Sequence, residues 1–189
     1  MKINNLQVYG LNNAIRCSKF PMAIDTNQIN ESVTQTVINL GNSDIGHGHD
    51  QFITGIITQF DLTFSIKAWV EAERYHFFDF ISSQSTMHRI AKFDIKSQCN
   101  EYVTENTINE ANRLKNIYLN TQDKEDYLTL LYNVPTGFQL TAGMTTNYRQ
   151  LKTIYTQRKQ HRLPEWRHFC EWIETLPHFK ELCLGGEQC

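Results

Sequence analysis

The chain has no Cys-x-x-Cys pair, and its five cysteines are an odd number. Both facts argue against a disulfide framework and for reduced thiols. No apolar run reaches the length that spans a bilayer. The first ten residues, MKINNLQVYG, carry a lysine with no apolar core behind it, so no signal peptide is read and a soluble, cytoplasmic protein without a membrane partner is expected. A basic excess is missing too: the formal charge of −2 argues against a chain that coats nucleic acid along its whole length. The Gly-x-x-x-x-Gly-Lys-Ser/Thr loop, the Gly-x-Gly-x-x-Gly turn after a strand and the Gly-x-Ser-x-Gly elbow are all absent. That removes the common mononucleotide and hydrolase signatures. No internal repeat or low-complexity linker stands out.

What is present suits a globular domain. With 189 residues, 40% apolar and 12% aromatic, the chain reads as a single domain over 1–189, long enough to bury its own core. Residues 1–50 are the least readable part. KINNLQVYGL suggests a strand ending at Gly10, the stretch from Asp25 to Val37 is open between helix and loop, and NLGNSDIGHGHD has the composition of a loop.

The clearest strand follows: Phe60, Leu62, Phe64, Ile66 and Ala68 alternate with Asp61, Thr63, Ser65 and Lys67. WVEAERYHFFDFI has no turn residues, and the spacing of Trp69, Ala72, His76 and Phe80 predicts a helix over 69–81. Helical spacing recurs at Ile108, Ala111, Leu114, Ile117 and Tyr118, and again at Tyr127, Leu130, Leu131 and Val134 before Pro135. A further helix carries Leu151, Ile154 and Tyr155, with Thr145, Thr146 or Asn147 as its N-cap. The last opens at Pro164 and buries Trp166, Phe169, Cys170 and Ile173. One strong strand, one or two weaker ones and four or five helices make the class α+β, a small central sheet with packed helices.

Two constellations invite chemistry and carry little. His47, His49 and Asp50 offer ligands that suit zinc or iron, but no second cluster completes a set, so no metal is expected. Cys170 has His168 and Glu171 nearby in sequence, yet on a helix these point to different faces, and the thiol reads as a small buried hydrophobe. The basic helices are more informative. Arg149, Lys152 and Lys159 lie near one another, and Arg158 shares the apolar stripe of Leu151. Its guanidinium must meet a carboxylate such as Glu165, a carbonyl or a ligand anion, and the residues alone leave these open.

Pro135, then NYRQLKTIYTQR, then EWR resembles the C-terminal part of the flavin-dependent thymidylate synthases. In that family an Asn-x-Arg-x-Leu is followed by an arginine at the twelfth position and by Glu-x-Arg. Asn147, Arg149, Leu151, Arg158, Glu165 and Arg167 match it, and LTFSIKAWVEAER is similar to the family's strand and central helix. The resemblance spans residues 55–177, and AIR, PM, STMH and EW followed by FC and WI are similar to phage-type relatives. The family's Arg-His-Arg clamp for flavin and nucleotide phosphate falls in DFISSQSTMHRI, where Asp79, Phe80 and Ile81 stand in its place and Ser83, Ser85, His88 and Arg89 keep hydroxyl and cationic character.

The resemblance implies a diverged thymidylate synthase-like protein that binds a pyrimidine nucleotide in phage-type nucleotide metabolism or base modification. It implies a homo-oligomer, dimer or tetramer, in the host cytoplasm. It places nucleotide contacts at Asn147, Arg149, Arg158, Arg167, Ser85, His88 and Arg89, and it brings flavin in as the family cofactor without its usual clamp. The alternative is a non-catalytic interaction protein, a phage factor that binds a host protein or DNA.

Overall fold

The structure, a computed structural model, describes residues 1–44 and 46–185. Its strands are β1 (Lys2–Tyr9), β2 (Ile57–Ser65), β3 (Phe78–Ser83) and β4 (Gln139–Asn147). They form one antiparallel sheet in the order β1-β2-β4-β3. The first helices are α1 (Leu11–Cys17), α2 (Gln35–Gly41), α3 (Ile66–Ala72), α4 (Thr86–Arg89) and α5 (Ile95–Gln98). The longer ones come next: α6 (Glu105–Thr121), α7 (Lys124–Tyr132), α8 (Tyr148–Arg158) and α9 (Pro164–Ile173), with α10 (Phe179–Cys183) after them. The α+β class holds.

Local chemistry sets the boundaries. Ser65 ends β2 and starts α3, because its hydroxyl accepts from Ala68 N at 3.2 Å. The strand expected to run through Ala68 therefore stops at Ser65, and Ile66 and Ala68 are helical. Thr34 caps α2, Thr104 caps α6, Asp123 caps α7 and Asn147 caps α8, each accepting from a first-turn amide. The helix expected over 69–81 is the main correction. α3 stops at Ala72, Phe77 turns to φ 60°, and Phe78 opens β3. The apolar run had helical spacing, but tertiary pairing overrides it: Gln84 N donates to Thr141 O beyond the end of β3, and the Trp69 indole donates to Leu140 O. The undecided stretch before Val37 resolves as helix from Gln35, which carries two residues past Asn39, and a 3-10 turn at His49–Gly55 closes the expected loop.

The chain divides into two compact units. One comprises Met1–Ile3, Asp61–Arg74 and Phe80–Gly143, and its core joins Ile90 and Ile95 to Ile108, Leu114, Leu130 and Phe138. The other comprises Asn4–Phe60, Tyr75–Asp79 and the chain from Met144 onward. Its core is aromatic: Phe60 lies 4.7 Å from Trp172 and 6.0 Å from Phe169, and Tyr148 lies 5.2 Å from Phe179, measured between ring centroids. At Gly41 a Cβ would strike the Leu182 carbonyl, so only glycine lets α2 approach α10.

The β2–β4 register explains a threonine pair. Ile66 N donates to Phe138 O at 2.9 Å and Tyr148 N to Ile56 O at 3.0 Å, which fixes one register from end to end. Thr63 and Thr141 then face each other as a close pair, with their hydroxyls 2.8 Å apart. The same register sets Thr58 opposite Thr146, both buried, and neither hydroxyl has a hydrogen-bond partner among the described residues. Buried hydroxyls without partners carry a desolvation cost that an isosteric methyl removes. Thr58→Val and Thr146→Val are therefore expected to leave stability unchanged or raise it by about 1 kcal/mol, read from urea midpoints. A loss of more than about 1 kcal/mol in either would show that the hydroxyls are partnered in solution.

Candidate functional site

The segment that concentrates positive charge and aromatic rings is α8 with α9, so its cations come first. Asn147 caps α8, its side-chain oxygen accepting from Gln150 N at 2.9 Å. Two residues on, Arg149 pairs with Asp50 (3.1 Å) and donates to the Gln51 amide oxygen (2.8 Å). Lys152 is 6% exposed, and its ammonium donates to Gly41 O (2.9 Å), Ser43 O (2.7 Å) and Asp50 (3.3 Å). Three donors meet three acceptors, which is the condition for burying an ammonium. Asp50, fully buried, thus serves as the shared counter-ion of two cations. Among the described residues no group of three or more His, Cys, Asp and Glu could hold a metal ion.

At the other end of α8, Arg158 is 4% exposed. Its Nε donates to the Tyr75 hydroxyl at 2.7 Å, and that hydroxyl donates to Gln157 at 3.0 Å. Nη1 lies 2.7 Å from His161 Nε2, and since a guanidinium only donates, this ring nitrogen accepts. The guanidinium carbon sits 4.7 Å from the Trp166 ring centroid and 5.4 Å from that of Tyr75, both within cation–π range. Arg167 donates to His161 O at 2.7 Å and Arg162 O at 3.0 Å, pinning the turn between the two helices. Two cations of the segment remain at the surface: Lys159, its ammonium 5.4 Å from the Tyr155 ring centroid, and Arg162, both beside a polar cleft of about 440 Å³.

The neighbouring titratable groups are tuned by burial and pairing. The Tyr155 hydroxyl is pushed up to about 12 by burial and by its 2.6 Å bond to Glu174. Glu174 is held below the usual carboxylate range by that bond and by Lys180. Burial, then Glu174, pushes the Cys170 thiol up to about 12, so it is a protonated core group and no nucleophile at neutral pH.

The other sequence-predicted residues lie in the first compact unit. Ser85 precedes α4 without a capping bond from its side chain, and it is half-buried. His88 and Arg89 are exposed in the last turn of α4, and neither side chain has a hydrogen bond or ion pair among the described residues. Tyr127 fixes this turn from α7, its hydroxyl donating to the carbonyls of Met87 (2.5 Å) and Thr86 (3.3 Å). β3 carries Asp79, Phe80 and Ile81, all exposed.

Sequence reasoning missed Tyr75 and His161 as partners of Arg158, and it took Asp50 for a possible metal ligand. An acid closing a glycine-rich loop was the one available signal. Its partners lie about a hundred residues away in sequence.

Solved structures share the fold. A flavin dependent thymidylate synthase ThyX from Helicobacter pylori, complexed with FAD and dUMP, matches with a TM-score of 0.77 at 13% identity, over 97% of this chain and 99% of that one. A second structure of Helicobacter pylori Thymidylate Synthase X with FAD and dUMP gives 0.76 at 13% identity, over 96% and 95%. No family model and no curated protein matches the sequence.

Two outcomes follow from this geometry. Asp50→Ala leaves two cations without their shared counter-charge and is expected to cost about 3–5 kcal/mol in a denaturant titration; a loss under about 1 kcal/mol would show that the network is not structural. Because the folded carboxyl of Glu174 is depressed, its stabilisation is complete above the unfolded value near 4.5 and fades as pH falls through the lower folded value. Melting scans of Glu174→Gln should therefore show a shallower acid limb than the parent chain, and superimposable limbs would contradict the assignment.

Proposed function

We propose that the chain binds a pyrimidine nucleotide on a thymidylate synthase-like scaffold, in phage-type nucleotide metabolism or base modification, as a cytoplasmic homo-oligomer. The observation that carries this reading is the likeness of fold over nearly the whole chain to a synthase solved with FAD and dUMP. Phosphate contact is assigned to Ser85, His88 and Arg89, because these are the sequence-predicted residues whose hydroxyl, ring and guanidinium groups the fold leaves accessible. A guanidinium fork free of carboxylate partners suits a phosphate. Asn147, Arg149, Arg158 and Arg167 are assigned as positioning residues, since their bonds hold α8, α9 and the turn between them.

Asp79, Phe80 and Ile81 supply no cation for a flavin phosphate, so the residues at that place do not fit the group. No flavin step is assigned, and nucleotide binding alone is proposed. The alternative, a flavin-free interaction protein that docks on a host protein or nucleic acid, draws on one observation: Phe80 and Ile81, 46% and 57% exposed, lie on β3 at the edge of the sheet.

Melting scans with dUMP and dCMP at millimolar concentration test the proposal. A nucleotide at a hundred times its dissociation constant adds about 2.7 kcal/mol, several degrees in a chain of this size. Arg89→Ala should abolish most of that shift while leaving the ligand-free melting temperature unchanged. Absence of any shift with the nucleotide panel would transfer the case to the interaction protein.

A further inference from the structure

The N-terminal third of the chain, which the proposed nucleotide contacts do not use, bears an open cleft of about 1140 Å³. That is just above the ~300–1,000 Å³ typical of small-molecule sites. Its walls are apolar: Pro21, Met22, Ile29, Val37, Leu40 and Phe52. The polar side chains around it almost all have hydrogen bonds within the chain. Lys19, the one lysine or arginine among the described lining residues, donates to Asn30 O (3.0 Å), Asn30 Oδ1 (2.7 Å) and Ser32 O (2.8 Å), which uses its three protons. Thr34 caps α2, Ser18 donates to Ile15 O, Gln28 donates to Asp25, and Gln51 accepts from Arg149. Among the described residues, no Asp or Glu lines the cleft. Two side chains have no hydrogen bond among the described residues, Thr36 and His49, and both also line an adjoining smaller cleft of about 230 Å³.

From this pattern we infer that the cleft is a second binding site, for an uncharged, largely apolar small molecule that carries one hydrogen-bonding group directed at Thr36 and His49. A phosphate or carboxylate would enter without an available cation, at a large desolvation cost. A peptide would bring a row of backbone amides and carbonyls, each needing a partner that the self-satisfied lining cannot give. A compact apolar ligand needs only the walls and the two open polar groups.

Nile red, an uncharged apolar dye with a carbonyl acceptor, tests the site by fluorescence titration of the full chain. Saturable one-site binding is expected. Met22→Asp, a change at a side chain that is 91% exposed and so neutral to folding, sets a carboxylate on the rim. It should weaken the dye at least about tenfold. Leu40→Trp, which fills the cleft, should do the same, with melting temperature measured on each variant. Unaltered dye affinity in Met22→Asp overturns the inference, as does failure of the dye to saturate. Excess dUMP should leave dye binding unchanged. Displacement by dUMP would make the cleft the nucleotide's own and also overturn the inference, whereas a chain that binds the dye and ignores nucleotides would fail only the proposed function.

Discussion

The buried ammonium of Lys152 is the constraint around which the second compact unit is organised. An ammonium so nearly excluded from water is tolerable only when every proton is accepted, and the acceptors come from the end of α2, the residue two positions on and the 3-10 turn that carries Asp50. The requirement ties three separate stretches to one face of α8. Arg149, one turn earlier, leans on the same carboxylate. α2 can come close enough to offer its terminal carbonyl because Gly41 has no side chain to meet α10.

A second buried cation closes the opposite end of α8. Arg158 sits within reach of the rings of Tyr75 and Trp166 and hydrogen-bonds to Tyr75 and His161, so its charge stabilises the approach of α9. Arg149, Lys152, Arg158 and Arg167 all bond to groups of the scaffold, so the basic character of this helix pair has an architectural use. In the proposed reading, the charge offered to a ligand comes from cations that the fold does not engage, and among the sequence-predicted residues these stand on α4.

Legibility in the sequence followed the range of the interactions. α6 to α9 were readable because 3.6-residue spacing, a capping threonine, aspartate or asparagine, and Pro164 are all local. β2 was readable from its alternation, apart from the last residues that Ser65 recruits into α3. β3 was not, because an edge strand with one buried residue has no alternation to show, and pairing with β4 about sixty residues away decides its conformation; β4 was missed although Ala142, Met144 and Thr146 alternate as its buried positions. The Asp50 and Tyr75 roles were hidden for the same reason: each depends on a cation that the chain delivers some eighty to a hundred residues later.

A crystal structure of the full chain with dUMP addresses the central claim, that the helix-pair cations belong to the scaffold and the α4 cations to the ligand. The account predicts phosphate oxygens within hydrogen-bond distance of Arg89, with Arg158 still bonded to Tyr75 and His161. A phosphate seated on the Arg158 guanidinium, with Tyr75 displaced, would contradict it.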